Sequence, residues 1–124
     1  MAIALSTDKQ EYVLDSDKDL DTKLQTTFFI KPLSAKQFAA VQDKMKISSD
    51  TKNFSINNIG TYTLDILQMG LVGWSNFVDA EGKQIKWMNK DMEKNIDRIP
   101  ADARFELSTQ IMDSNNLKED DSKN

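Results

Sequence analysis

The most apolar run of the chain is LDILQMGLVGWSNFV, residues 64–78. Leu64, Leu67, Leu71, Trp74 and Val78 recur along it at spacings of 3, 4, 3 and 4. That is the period of one helix face. Ile66, Gly70, Gly73 and Phe77 form a neighbouring stripe, and Thr61, Asp65, Gln68, Ser75 and Asn76 fall on the remaining side, with Val72 as the exception. The pattern predicts a central helix over about 62–78 whose apolar arc is wide enough to be contacted from two sides. Each glycine costs such a helix about 1 kcal/mol against alanine, and a missing side chain lets another element approach closely. The alternative is a helix that breaks near Gly73, with Ser75, Asn76 and Phe77 opening a turn.

Other segments carry different periods. Thr26, Thr27, Phe28, Phe29 and Ile30 are β-branched or aromatic and predict a strand that Pro32 ends. Tyr12 and Val13 offer it an antiparallel partner across the charged turn DSDKDLDTK, and Ile3 and Leu5 offer a short edge strand. Residues 34–47 predict a helix. Ser34 and Gln37 match a capping box, and Phe38, Val41 and Met45 form its buried stripe. Residues 48–60 read as a polar loop tucking Phe54, Ile56 and Ile59 inward. Asp79 and Gly82 mark a turn, after which Ile85 and Trp87 alternate with polar residues as in a short strand or hairpin. Met88, Met92, Ile96 and Ile99 have helical spacing. A last helix follows Pro100, with Leu107 and Ile111 inward and Phe105 and Met112 beside them. The fold class expected is α+β: an N-terminal antiparallel β-hairpin packed with a three- to four-helix cluster. It forms one domain over 1–116, followed by a flexible acidic tail over 117–124.

Composition narrows the chemistry. The chain holds neither Cys nor His, which removes thiol nucleophiles, disulfides, Cys/His metal sites and an imidazole base. Sixteen Lys plus Arg stand against twenty Asp plus Glu, and the lysines are interleaved with acids, a poor footprint for nucleic acid. The apolar run includes Asp65 and Gln68 and falls short of the about 18 apolar residues that a membrane span needs. The N-terminus has no basic segment of the signal-peptide kind. The four glycines form no phosphate loop. Asp15, Asp17, Asp19 and Asp21 lack the glycine and the bidentate glutamate of a calcium loop and read as a solvated turn. No catalytic, metal or cofactor site is expected. Methionine repacks easily around varied partners. Trp87, Met88 and Met92 are therefore candidates for partner contact or for a satellite of the core, and Leu117, Lys118 and Glu119 in the tail are further contact candidates.

Four segments, FFIKPLSAKQFAAVQDKM, LDILQMGLVGWSNFVDAEGKQI, IPADARFELSTQI and LKEDDSKN, together resemble the small tail assembly chaperones of tailed bacteriophages and prophages. The shared pattern is Pro32-Leu33 before a helix, then Gly70-Leu71, Gly73-Trp74, Asn76-Phe77, Asp79 and Gly82. Leu107 and Ile111 follow on a late helix, and an acidic, lysine-containing tail closes the chain. The resemblance covers most of residues 28–124. It implies a non-enzymatic protein of the host bacterial cytoplasm that is not retained in the virion. Such a protein binds the phage tape-measure protein, keeps it soluble and helps recruit tail-tube protein. Self-association stays open, as do a structural part of the tail or head–tail junction and a host-directed prophage interaction protein.

Overall fold

A computed structural model of the protein describes residues 2–50 and 56–116, with side chains described for 2–44 and 60–116. The elements in order are β1 (Gln10–Val13), β2 (Thr27–Ile30), α1 (Ala35–Asp50), α2 (Ile56–Gly70), β3 (Leu71–Ser75), α3 (Met92–Asp97) and α4 (Ala101–Asp113). The strands form one antiparallel sheet in the order β1-β2-β3, so the protein is α+β with the expected N-terminal hairpin and four α-helices among the described residues. Residues 2–9 are exposed and carry no strand, so the edge strand expected at Ile3 and Leu5 does not form.

Alternation along β2 buries Phe28 and Ile30 and leaves Thr27 and Phe29 half-covered. β1 supplies the outer ladder, Gln10 opposite Ile30 through to Val13 opposite Thr27. The loop between them is tied down locally, because the Asp17 carboxylate accepts the Thr26 N–H at 3.0 Å.

The helix expected over 62–78 ends at Gly70, and the chain passes directly into β3. Phe28 pairs with Trp74 and Ile30 with Leu71, both on the buried face of β2. Those two β3 residues are three apart, and strict alternation would send them to opposite faces. A bulge between Phe29 and Ile30 absorbs the difference, with Val72 as the inserted residue. The spacing of three that reads as a helix turn is thus the signature of a bulged strand. The Gly70 carbonyl accepts the Lys31 N–H at 2.9 Å, so the helix end is satisfied by the continuation of β2.

Ser34 caps α1 as its sequence predicts. Its hydroxyl accepts the Gln37 N–H at 3.1 Å, and the Gln37 side chain accepts the Ser34 N–H at 2.9 Å. Val41 is buried and Phe38 packs against the core, whereas Met45, Phe54, Ile56 and Ile59 lie outside the described side chains. The loop expected over 48–60 is narrower than its composition indicates: α1 runs to Asp50 and α2 begins at Ile56. α2 packs most extensively on α4, with Leu67, Leu107 and Ile111 fully buried between them and the sheet. Phe105, expected beside that pair, is instead exposed. The end of α4 is fastened to the start of α1. Asn115 accepts the Leu33 N–H at 3.1 Å and donates to the Leu33 carbonyl at 2.7 Å.

β1 is joined to α4 by one carboxylate. The Tyr12 hydroxyl donates to Glu106 Oε2 at 2.5 Å, and the Asp15 N–H donates to the same oxygen at 2.9 Å. Burial, then the hydrogen bond and charge of Glu106, push the Tyr12 phenol above its ordinary value of 10.0. An acid held protonated by the fold contributes stability below its unfolded pKa and loses it as pH rises toward the folded one. Stability is therefore expected to fall as pH rises above about 10.0. Tyr12→Phe should flatten that fall, read by denaturant titrations of both proteins from neutral to alkaline pH.

Candidate partner-binding groove

Beyond β3 the chain reverses sharply. Asn76 adopts a left-handed conformation, φ 59°, which asparagine tolerates better than most residues. Its amide donates to the carbonyls of Lys23 at 3.0 Å and Gln25 at 3.1 Å and accepts from Gln84 at 2.8 Å. Its own carbonyl accepts the Thr26 hydroxyl at 2.9 Å. The result is a small hairpin in which Val78 faces Gln84. At its tip the Asp79 carboxylate accepts the N–H groups of Glu81 and Lys83, both at 2.9 Å, and Gly82 sits at φ 84°, where a side chain would be strained. The turn expected at Asp79 and Gly82 therefore forms.

The returning arm of this hairpin lies across the core. Trp74 is buried and donates its indole N–H to the Ile85 carbonyl at 2.7 Å. Trp87 meets Trp74 edge to face at 4.8 Å, and Phe77 meets it at 4.9 Å from another side. Such contacts fix ring orientation as well as burying area.

α3 holds the end of the arm. The helix expected over 88–99 begins only at Met92, because Asp91 caps it through the Lys94 N–H at 3.2 Å. Asn95, only 1% exposed, reaches back from α3. It accepts the Met88 N–H at 2.9 Å and donates to the Met88 carbonyl at 2.8 Å. A buried amide satisfied on both sides fixes a backbone position, and its loss strands two polar groups. Asn95→Ala is expected to lower stability by about 1–3 kcal/mol, read as a shift in denaturant midpoint. An unchanged midpoint would show that Met88 is held by something else.

Between the arm and α3 runs an open groove of about 510 Å³. Gln84, Ile85, Lys86 and Met88 line one side, and Lys94, Asn95, Asp97 and Arg98 the other. Of the contact candidates, Met88 lines this groove and is 43% exposed. Trp87 and Met92 are half-buried against the core, and the Met92 sulfur accepts from Asn95 at 3.6 Å. Neither Trp87 nor Met92 is among the residues that line the groove. Leu117, Lys118 and Glu119 lie outside the described residues.

Sequence reasoning did not select Ile85, Lys86, Lys94 or Arg98. A signal was present: residues 83–98 hold five cations and three acids in a chain whose net charge is −4. It was diluted because the cations are brought to one groove by an arm and a helix rather than by a run.

A second hollow, about 280 Å³, is lined by Asp17, Asp102 and Glu106 among others. Its carboxylates are engaged by the fold. Asp17 accepts from Thr26, Glu106 from Tyr12 and Asp15, and Asp102 from Ala103 at 2.9 Å. Among the described residues no group of three or more acidic side chains is placed to hold a metal ion. Among the described residues no helix is long and apolar enough to cross a membrane. No family model, curated protein or solved structure matches the chain. The fold and groove define an α+β protein with an open, firmly backed surface channel.

Proposed function

We propose that this protein is a non-enzymatic polypeptide-binding protein: a tail assembly chaperone of the phage type that binds the tape-measure protein, keeps it soluble and helps recruit tail-tube subunits. The observation that carries the reading is the groove beside Met88. It offers an adaptable apolar side chain to a partner while Asn95 and the Trp74–Trp87 pair hold its backbone still. A rigid backing with a soft methionine surface suits capture of an amphipathic segment.

The residues that carry the resemblance support the same division of labour. Gly70 serves the crossing of α2 on α4, and Gly73, Trp74, Asn76, Asp79 and Gly82 serve the bulged strand or the hairpin. They shape the platform, and the contact surface is left to the residues between and after them. Tape-measure proteins are long chains with repeated apolar stripes. Modest affinity per copy, multiplied along one chain, would keep such a polypeptide coated and still allow release as the tube polymerises. The action is placed in the host cytoplasm, before the virion is complete.

Co-expression with a tape-measure fragment tests the reading. The fragment is expected to move into the soluble fraction and to co-purify with this protein, and purified particles should contain little or none of it. No gain in solubility together with no co-purification would overturn it. A fixed copy number in particles would assign the protein to the tail structure instead.

A further inference from the structure

We propose that the groove between residues 84–88 and α3 selects an acidic segment of its partner, with an apolar residue seated on Ile85 and Met88 and carboxylates meeting Lys86, Lys94 and Arg98. The inference rests on the reading that the partner is a polypeptide and adds which kind of segment it presents.

Charge complementarity carries it. Lys86, Lys94 and Arg98 line the groove against one carboxylate, Asp97. Among the described residues Lys86 and Arg98 have no ion-pair partner, and Lys94 reaches only Asp91, at a loose 3.8 Å. The chain around them is acidic, with twenty carboxylates available to neutralise sixteen cations. At the neighbouring hairpin tip the Asp79 carboxylate is engaged locally, accepting two backbone N–H groups. At physiological ionic strength charges are screened over about 8 Å, so the net negative charge of the rest of the molecule does not cancel a local positive site.

The floor of the groove decides what kind of anion fits. Ile85 and Met88 give it an apolar base, which rewards a side chain such as leucine or phenylalanine between the carboxylates. Nucleic acid is disfavoured on the same geometry. The two indoles are packed edge to face on each other rather than presented for base stacking, and three cations make a small footprint on an acidic protein. Lys94 and Arg98 are one helical turn apart, so both can address one face of a bound helix or extended segment.

The test uses the full chain and three fluorescent probes: an amphipathic peptide of leucine and glutamate, its counterpart with lysine for glutamate, and a single-stranded oligonucleotide. The glutamate peptide is expected to bind, and to bind more weakly as salt is raised. Lys86→Glu with Arg98→Glu should weaken it by about tenfold or more with no change in the unfolding midpoint. Met88→Ser should weaken it independently of salt. Equal binding of the lysine peptide, tighter binding of the oligonucleotide, or indifference to the charge reversal would each overturn the inference. The same variants in the tape-measure co-purification separate the two ideas. If wild type and the charge-reversed protein both retain the fragment, the acidic-segment inference fails and the chaperone reading stands. If wild type itself retains nothing, the chaperone reading fails.

Discussion

Trp74→Ala is expected to destabilise the protein by about 3–5 kcal/mol, the range for deleting a large buried aromatic side chain. The indole lies at the junction of three structures. It pairs across the sheet with Phe28, contacts the rings of Phe77 and Trp87 at 4.9 and 4.8 Å, and holds the returning arm through Ile85 at 2.7 Å. Removing it opens a cavity and releases the arm that forms one wall of the groove. Small domains have only about 5–15 kcal/mol of net stability, so this variant should be poorly expressed or partly unfolded at ambient temperature. Trp74→Phe gives the graded version. It keeps a ring in the cluster but leaves the Ile85 carbonyl without its donor, at about 1–3 kcal/mol. With Trp74 gone, Trp87 is the one indole left in the chain, and its fluorescence reports the arm directly. A Trp74→Ala protein with the wild-type denaturant midpoint would contradict the packing described.

The second large effect is expected at Gly70, where α2 crosses α4. A Cβ built there would lie 2.4 Å from Ile111 Cγ2 and 3.0 Å from its Cδ1. Ile111 is fully buried and β-branched, so its Cγ2 has little room to swing aside. Alanine would recover about 1 kcal/mol of helix propensity. Overpacking of a core contact costs about 1–3 kcal/mol, and more when backbone must move. Overpacking should win, and Gly70→Ala is expected to be destabilising, with Gly70→Val more so. The attribution is checked by a double-mutant cycle. In an Ile111→Ala background, itself costly, the Gly70→Ala penalty should shrink or change sign. Additivity of the two changes would show that the crossing is not what requires glycine.

The contrast between Gly70 and Gly73 shows how unevenly the structure could be read from the sequence. Both lie in the same apolar run, and close approach of another element was legible at both positions. A Cβ at Gly73 would meet Phe29 Cδ2 at 3.3 Å, a tight contact across the sheet rather than between helices. The helix capped by Ser34 and the turn at Asp79–Gly82 were readable because each is governed by residues within a few positions of one another, and the β1–β2 hairpin because β-branched and aromatic residues mark its strands. Met88 could be read as a contact candidate, but the three cations around it could not. Their convergence depends on Asn95 fastening the arm to α3.

By itself, the sequence determined what local chemistry can determine: an α+β chain with a capped first helix, strands where β-branched and aromatic residues cluster, and a turn at Asp79 and Gly82. It also determined that the chemistry open to thiols and imidazoles is closed to this protein, since it has neither. Only the tertiary structure decided the fate of residues 71–75. Leu71 and Trp74 satisfy a helix period and a bulged strand equally well as far as spacing goes, and an unpaired β2 edge beside them settles the matter. Pairing with Phe28 and Ile30 satisfies backbone groups on both strands and buries all four side chains, which extending α2 would not do. The groove is a consequence of that choice, because it is the strand, and not a helix, that delivers the hairpin arm to α3.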